Sequence, residues 1–598
     1  MAHMDMRNRP RRNIHREKVN LGDWRPTVRR LGGYLGHAKR KLIITFLMTI
    51  VTTAVTVVGT RLNGIVIDRY IHADTLHTLL LVCLAMGVMY VIASGFVYFQ
   101  NALIIQVAQT TSADIRRDVF ANLQQLPMRY FDTHDNGDVM SRLTNDVDNI
   151  NTALMQTFVQ LFTGIISIIG MGAAMLVLSP VLTLITLLAS AATYAFSKAV
   201  AKRTQQAFMT QQRTLGELNT QIEESVTGKQ VVQGFDHIDA TMATFTATNA
   251  EYTTAAFAAQ AWSSVIGPFN NMTNNLAYVL ITAAGAASIL LGQGGITVGI
   301  IFTFLIYLRN FTGPINNLLD LINTLQLSLV SAQRVFALID EPPEQDVPDA
   351  LALPHPVGHV RFKHVDFAYE PDRQILHDVS LTAEPGQVIA LVGQTGAGKT
   401  TIMNLLTNLY PLQHGAILLD GHDVTSLRRA DLRHAVTVVQ QESFLFTLTI
   451  RENIRLGRPT ATDAEVAQAA EQANAAGFIT QLPQGYDTLL TENAHDLSQG
   501  QRQLLSIARA FIAQAPVLVL DEATAAIDSN TEAMVQTAMS RLMQHATSFV
   551  IAHRLSTIQA ADQILVIADG RVVERGTHAE LLAQGGEYAS LYNSQFEA

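Results

Sequence analysis

The chain has 598 residues, which is too long for one hydrophobic core, so we expect several domains. Apolar residues make up 48% of it and charged residues only 15%, and long blocks before about residue 330 carry no charge. The net charge of −9 argues against a nucleic-acid-binding protein, and the single cysteine excludes an intramolecular disulfide and a cysteine zinc site. Since Cys83 lies in an apolar run, we expect it to be buried.

The first 330 residues have the pattern of a polytopic membrane domain. Residues 1–41 are rich in arginine and lysine, and we predict a cytoplasmic N-terminal arm with an elbow helix. A bilayer core needs about 20 apolar residues in helical form, and residues 42–330 provide six such segments. They are expected in Leu42–Thr60 (continuing to about Ile67), in Thr75–Ala113, twice in 149–197 with a turn at Ser179-Pro180, and twice in 252–308 with a break at Gly292–Gly295.

Charge in the loops predicts the orientation of these spans. Arginine and lysine cluster before span one, after span two and after span four, whereas the loops near 68–74, 178–180 and 292–297 carry little positive charge. The positive-inside rule therefore predicts that both termini lie in the cytoplasm. We expect a multi-pass protein of the plasma membrane. The two long inward loops keep helical periodicity, which indicates that the membrane helices extend into the cytoplasm.

Two charged residues are expected inside span six. Arg309 and Asp320 are eleven positions apart, close to three helical turns, so they share one face. Charges within the bilayer usually face a cavity or a partner charge. These two residues either line the path of a substrate or pair with other helices, and the sequence leaves both options open.

The C-terminal part begins with a proline-rich linker, predicted at 331–358, and continues as an α/β domain at 359–598. An apolar strand, QVIALVG, leads into the glycine-rich turn GQTGAGKT and a helix. That context is what a phosphate-binding loop needs, because backbone N–H groups at a helix N-terminus hold phosphates. Lys399 would reach the β- and γ-phosphates of ATP, and the Thr400 hydroxyl would bind Mg²⁺. The predicted nucleotide-binding residues here are Gly393, Gln394, Thr395, Gly396, Ala397, Gly398, Lys399, Thr400 and Thr401.

A second apolar strand, VLVLDE, ends in two carboxylates. Asp521 at the strand tip can hold Mg²⁺, and Glu522 can orient and polarise the attacking water. The alternative is that this pair caps the following helix. The loop upstream favours the catalytic interpretation.

In their order and spacing, Tyr369, GQTGAGKT, Gln441, LSQGQ, VLVLDE, Asp528 and His553 resemble the nucleotide-binding domain of an ABC transporter. The resemblance extends to exporters with six spans and one ATP domain per chain, of which two chains form a transporter. It implies that Tyr369 stacks on adenine, that Gln441 reaches Mg²⁺ or water, and that His553 contacts the γ-phosphate. It also implies that ATP lies between two ATP domains, with the signature residues of one chain covering the phosphates held by the other. The signature and D-loop residues concerned are Ser498, Gln499, Gly500, Gln501 and Asp528.

One residue departs from the family pattern. Gln499 stands where the signature LSGGQ has its first glycine, and its side chain occupies space that glycine leaves for close backbone approach. A chain with the catalytic glutamate and a poor signature resembles the LmrD-like subunit of heterodimeric bacterial multidrug exporters of the LmrCD type. The partner would be a second half-transporter with an intact LSGGQ. The alternative is a homodimer that tolerates Gln499.

The expected function is therefore ATP-driven export of hydrophobic or amphipathic compounds, with ATP and Mg²⁺ bound at one competent and one degenerate site. Two alternatives remain open: flipping of a lipid or lipid-linked substrate, and an ATP-gated or regulatory subunit with little pumping. The intact Glu522 argues against the last, because a gate needs no efficient hydrolysis.

Overall fold

The computed structural model describes residues 24–596 except 71–75, 293–294, 442, 492–493, 495, 522–528 and 553. It divides into two compact units. The first contains the chain up to Gln124 together with Asp135–Glu341, and the second contains Gln125–His134 together with the chain from Pro342 onward. The predicted class, a polytopic helical domain followed by an α/β domain, is confirmed.

Among its described residues, the first unit contains helices joined by short turns and no strand. Six stretches are long and apolar enough to cross a membrane, which confirms the predicted six spans. The helices before the second unit's strands are α1 (Arg25–Leu35), α2 (Lys39–Arg69), α3 (Leu76–Leu123), α4 (Met128–Thr133), α5 (Asn136–Ser141), α6 (Val147–Leu178), α7 (Pro180–Thr227), α8 (Lys229–Gly234), α9 (Ile238–Ser264), α10 (Ile266–Leu290) and α11 (Val298–Asp340).

Local sequence explains where these helices begin and end. Ser179 is extended (φ −162°, ψ 109°), its hydroxyl accepts a hydrogen bond from the Leu182 N–H, and Pro180 occupies the first position of α7. This is the turn predicted between spans three and four, since proline lacks the N–H that a helix interior needs. Helix α11 continues to Asp340, so the first ten residues of the predicted linker, 331–340, are helical.

Helices α2 and α11 approach unusually closely. A Cβ atom added to Gly299 would lie 2.0 Å from the Gly64 carbonyl oxygen, so both positions require glycine. Small residues allow such close backbone packing between membrane helices. Asp68 fixes the contact, because its carboxylate accepts hydrogen bonds from the Gly299 N–H at 2.7 Å and from the Thr297 hydroxyl at 2.5 Å.

Cys83 is exposed on α3, so the expectation that it is buried is wrong. Most of the apolar window of α3 is unburied, with only 6% of it inside the protein. An apolar run in a membrane helix faces either protein or lipid, and the sequence does not distinguish the two environments.

Within the first unit, a charged network joins the first long inward loop, which lies between α3 and α6, to α11. Arg334 contacts Asp138 and, at 3.0 Å, the buried carboxylate of Asp146. Asp146 also accepts a hydrogen bond from the Ser331 hydroxyl at 2.8 Å. Arg142, itself buried, pairs with Asp138 at 3.0 Å. Each buried charge is therefore compensated, and the loop is held against α11 by several bonds.

Arg334→Met is expected to lower the free energy of unfolding of the first unit by about 3 kcal/mol, because it leaves Asp146 buried without its cation. The measurement is thermal melting of the purified protein in lipid nanodiscs. Arg213→Met is the matched control, since Arg213 pairs with Glu217 on the surface at 4.0 Å. An exposed pair contributes about 0–1 kcal/mol. Equal melting temperatures for the two variants would contradict the assigned role of Arg334.

The second unit contains two sheets. The smaller sheet has the order β2-β1-β4-β5 and the larger has the order β10-β9-β3-β8-β7-β6. The strands are β1 (Val360–Glu370), β2 (Arg373–Ala383), β3 (Val388–Val392), β4 (His414–Leu419), β5 (His422–Asp423), β6 (Val436–Val439), β7 (Val517–Asp521), β8 (Thr547–Ile551), β9 (Gln563–Ala568) and β10 (Arg571–Gly576). The helices are α12 (Lys399–Leu406), α13 (Arg429–Ala435), α14 (Ile450–Arg455), α15 (Asp463–Gln472), α16 (Ala476–Gln481), α17 (Gln499–Ala513), α18 (Ser529–Met543), α19 (Leu555–Ala560), α20 (His578–Gln584) and α21 (Glu587–Phe596).

The parallel strands β3, β7, β8 and β9 of the larger sheet are buried on both faces, as expected of parallel strands, whereas the antiparallel edge strand β10 is partly exposed. Alternate residues of β3 belong to different hydrophobic clusters: Ala390 packs with the core that includes α17, and Leu391 packs with the core that includes α12. Because successive side chains of a strand point to opposite faces, α12 and α17 pack on opposite faces of the sheet.

A short piece of the first long loop belongs to this second unit. Helix α4 is joined to it by a hydrogen bond from the Tyr410 hydroxyl to the Asp132 carboxylate at 2.6 Å. The Glu344 N–H also donates to the Gln125 carbonyl oxygen at 2.6 Å. Burial, followed by the bond to Asp132, raises the pKa of Tyr410. The tyrosine therefore stays protonated and keeps its donor at any physiological pH.

Candidate functional site

The parallel register of the larger sheet brings the predicted catalytic segments to one edge. Leu391 of β3 pairs with Ile551 of β8, which pairs with Asp521 of β7. In turn, β7 pairs with β6, where Leu520 is opposite Val439. The segments that follow these strands, including the phosphate-binding loop and Gln441, therefore start from the same carboxyl edge. Ligands of open α/β sheets bind at that edge.

The loop after β3 has the backbone that phosphate binding requires. Gly393, Gly396 and Gly398 have positive φ angles of 155°, 87° and 106°, which residues with a Cβ rarely adopt. At Gly393 a Cβ would also lie 2.1 Å from the Ile567 carbonyl oxygen. Gly398 immediately precedes α12, so the N–H groups of the first turn of that helix face the loop.

Lys399 lies with its ammonium inside this loop. Its Nζ donates to the carbonyl oxygens of Gly393 at 2.7 Å and Gln394 at 2.8 Å. The residue is 8% exposed, and this burial lowers the pKa of Lys399, whereas the charge of Asp521 acts to raise it. The Lys399 ammonium group thus lies where the phosphate oxygens of ATP would bind, and it can replace its hydrogen bonds to the carbonyl oxygens with hydrogen bonds to phosphate.

The threonines after Lys399 have different surroundings. Thr400 is exposed, which leaves its hydroxyl accessible to an ion, whereas Thr401 is buried at 5% exposure. Asp521, at the tip of β7, is partly buried. A threonine hydroxyl and a carboxylate are oxygen ligands of the kind that Mg²⁺ takes, so these residues fit the ion; bound there, it would neutralise phosphate charge.

A cavity of about 460 Å³ adjoins the loop. Its lining includes Gln394, Thr395, Gly396 and Ala397 of the loop, together with Ile375 and Asp569 among others. Gln394, Thr395 and Gly396 are exposed, whereas Ala397 is buried. The volume is in the range of about 300–1,000 Å³ typical of small-molecule sites.

Tyr369, near the end of β1, is half-buried beside α12. Its hydroxyl lies 3.4 Å from the Thr401 hydroxyl and accepts a hydrogen bond from the Asn404 amide at 3.2 Å. Its ring makes an edge contact with Tyr410 at a centroid distance of 4.9 Å. The tyrosine is therefore fixed in position next to the first turns of the phosphate-binding helix, and stacking on adenine remains a prediction.

The signature segment begins α17. Ser498 is its N-cap and forms a capping box with Gln501: the serine hydroxyl accepts from the Gln501 N–H, and the glutamine side chain accepts from the Ser498 N–H. Gln499 is the first helical residue and partly exposed, while Gly500 is buried. Since α17 and α12 pack on opposite faces of the sheet, the segment does not share a face with this chain's own phosphate-binding helix.

Several predicted residues remain predictions. Gln441 is exposed two positions after β6, and its contact with Mg²⁺ or water remains a prediction. Glu522, Asp528 and His553 lie outside the described residues. In the first unit Arg309 is exposed on α11, and the side chain of Asp320 lies outside the described part.

Arg61 is a further candidate that the motifs and uncharged blocks of the sequence do not indicate. It lies in α2, between Leu42 and the expected end of span one at about Ile67, and its Nη1 atom is buried. The rule that charged residues within a membrane span are functional candidates would have identified it. The uncharged stretch Leu42–Thr60 already has the length of a membrane span, so length and composition alone do not indicate a functional residue after it.

Comparisons with known proteins agree with this architecture. Residues 42–315 match the ABC transporter transmembrane region family, and residues 376–525 match the ABC transporter family. The chain is 42% identical to the ABC transporter ATP-binding protein YfiC of Bacillus subtilis (strain 168), over 97% of this chain and 96% of that protein. It is also 42% identical, over 84% of this chain and 79% of the relative, to the fatty acid ABC transporter ATP-binding/permease protein of Mycobacterium bovis.

A solved bacterial Atm1-family ABC exporter with ATP bound is similar in structure, with a TM-score of 0.75 and 30% identity over 94% of this chain and 98% of that chain. The chain is a member of the ABC transporter family, of the exporter type with fused membrane and nucleotide-binding domains. It is an ATPase whose hydrolysis is coupled to transport across the membrane.

Proposed function

We propose that the chain is one half of a heterodimeric exporter of hydrophobic or amphipathic compounds, in the manner of multidrug efflux. The observation that carries this proposal is Gln499 at the first position of α17. In the ATP sandwich that the family resemblance implies, this position approaches the phosphates held by the other chain. A glutamine side chain there hinders the close approach that glycine permits.

The arrangement of the second unit supports a site shared between two chains. The phosphate-binding helix and the signature helix lie on opposite faces of one sheet, so a nucleotide on the first does not contact the second within one chain. We infer that this chain supplies Lys399, Asp521 and Glu522 to the competent site and a poor signature to the other. The partner would supply the intact LSGGQ.

Lipid flipping is a second candidate. It is favoured by the relative from Mycobacterium bovis, whose name assigns it fatty acid as substrate. Flipping and export use the same fold and differ in where the substrate is released, so transport into the outer leaflet and transport into the medium must be measured separately. A regulatory subunit with little pumping is less favoured, because Glu522 is intact.

Gln499→Gly tests the proposed asymmetry of the two ATP sites with this chain purified without a partner. If the purified wild-type chain pairs with itself, both sites have the poor signature, and we expect the glycine variant to raise ATP turnover about tenfold, since donors aimed at the phosphate contribute strongly to phosphoryl transfer. Turnover is measured in lipid nanodiscs by phosphate release, with the dimer fraction determined in parallel.

The matched control is Gln514→Gly at the other end of the same helix, where the left-handed backbone (φ 53°) favours glycine and no change in turnover is expected. If the wild-type chain alone hydrolyses ATP and exports substrate as fast as its Gln499→Gly variant, the heterodimer proposal is wrong.

A further inference from the structure

A cavity of about 600 Å³ opens between α2, α6 and α11 of the first unit. Its lining is apolar, with Val57, Leu62 and Ile65 from α2, Ala174 from α6 and Tyr307 from α11 among its residues. The one charged group in this lining is Arg61. The volume is again within the range of about 300–1,000 Å³ of small-molecule sites, which combine apolar walls with few polar groups.

The guanidinium of Arg61 has unused hydrogen-bonding capacity. Its Nη1 atom is buried and has no hydrogen-bond partner among the described residues. Asp68 is two helical turns further along α2, but both of its carboxylate oxygens already accept hydrogen bonds from the start of α11. Charged residues within membrane segments usually face a cavity or a partner charge, and the buried Nη1 atom of Arg61 has the cavity next to it.

The other polar group of the lining is already engaged. The Tyr307 hydroxyl donates to the Val57 carbonyl oxygen at 2.8 Å, so the tyrosine presents its ring to the cavity and Arg61 remains the available donor. The lining residues of α2 extend from Val57 to Ile65, a length of about 12 Å along the helix at 1.5 Å per residue. The cavity therefore offers one anion site next to an elongated apolar surface.

We propose that this cavity binds an amphipathic carboxylate with a single aliphatic chain, its carboxylate on the Arg61 guanidinium and its chain along the apolar walls. Arginine donates two parallel hydrogen bonds to a carboxylate, and both groups gain from pairing when they are withdrawn from water. A neutral amphipath would leave Arg61 unpaired, and a cationic one would be repelled. The inference rests on the proposed export function, because it names the class of compound to be moved.

The test is equilibrium binding of radiolabelled dodecanoate to the full-length chain in lipid nanodiscs without nucleotide, with empty nanodiscs subtracted. We expect dodecan-1-ol and dodecyltrimethylammonium to compete about 10- to 100-fold less well than unlabelled dodecanoate, the range of one charge-assisted hydrogen bond.

Arg61→Gln should weaken dodecanoate binding by a similar factor and leave dodecan-1-ol binding unchanged, and Arg61→Lys should be intermediate because it lacks the planar fork. Arg69→Gln is the matched control, since Arg69 is an exposed arginine at the end of the same helix.

Equal competition by the alcohol and the carboxylate in the wild-type protein would overturn the proposal, whatever the variants do. Unchanged dodecanoate binding in Arg61→Gln would overturn it as well. The buried Nη1 atom has no hydrogen-bond partner among the described residues that Arg61→Gln would remove, so the variant should not lower the melting temperature, and a large drop would show a structural role and contradict the assignment. Because binding is measured without ATP, it does not depend on export: failure of this chain, reconstituted with its LSGGQ partner, to export any hydrophobic compound would contradict the proposed function and leave this site standing.

Discussion

Replacing Glu522 with glutamine is expected to reduce steady-state ATP turnover by about 100-fold or more, while ATP affinity changes by less than about twofold. Glutamine has the size and shape of glutamate but cannot accept the proton of the attacking water. Asp521, one residue earlier, ends β7 at the carboxyl edge of the sheet from which the phosphate-binding loop also starts. We therefore expect Glu522 to act on the phosphate that Lys399 holds.

The measurement is phosphate release at saturating Mg-ATP, paired with equilibrium binding of labelled ATP. Glu370→Gln is the matched control, because Glu370 is an exposed glutamate at the end of β1 in the same unit. In the proposed heterodimer a single Glu522→Gln change removes nearly all turnover, since the other site is already degenerate. If about half of the turnover of the transporter survived, both sites would be competent and the asymmetric arrangement would be wrong.

Lys399→Ala is expected to lower ATP turnover by about 100- to 1,000-fold and to weaken ATP binding as well. In the present geometry the ammonium group lies within hydrogen-bond distance of two loop carbonyl oxygens, so it is placed before the phosphate arrives. Its loss removes the positive charge of the loop and leaves the Gly393 and Gln394 carbonyl oxygens facing an anion.

The binding defect distinguishes this variant from the preceding one, in which binding is retained. The same two assays apply, and Lys363→Ala, an exposed lysine on β1, serves as the control. Thermal melting must show that the variant is folded, since Lys399 is largely buried. Tight ATP binding by a folded Lys399→Ala protein would contradict the role assigned to the lysine.

The two units are connected in sequence by more than the linker. Residues 125–134 of the first long loop are grouped with the nucleotide-binding unit, where Asp132 accepts the Tyr410 hydroxyl and the Tyr410 ring contacts Tyr369. One chain of contacts therefore links the predicted adenine-binding tyrosine to a segment that returns directly to the membrane helices.

The sequence alone predicted the architecture and the class of chemistry, ATP hydrolysis coupled to transport. Uncharged blocks of about 20 residues predict membrane helices because a bilayer tolerates little else, and GQTGAGKT between a strand and a helix predicts phosphate binding because few other backbones provide that many free N–H groups. Both patterns are local in the sequence, so they can be recognised without knowledge of the fold. The turn at Ser179-Pro180 is of the same kind, since its cap and its proline act on adjacent residues.

The tertiary structure alone shows which distant segments of the chain are neighbours and which side chains are buried. Only the fold shows that α12 and α17 are on opposite faces of a sheet, that Asp132 reaches Tyr410, and that Cys83 is exposed rather than buried. Likewise, only the fold shows that the Arg61 Nη1 atom is buried without a partner among the described residues, while Asp68 is engaged by α11 and Tyr307 by a backbone carbonyl. Pairing and burial are properties of residues far apart in the chain, and no local pattern of side chains encodes them.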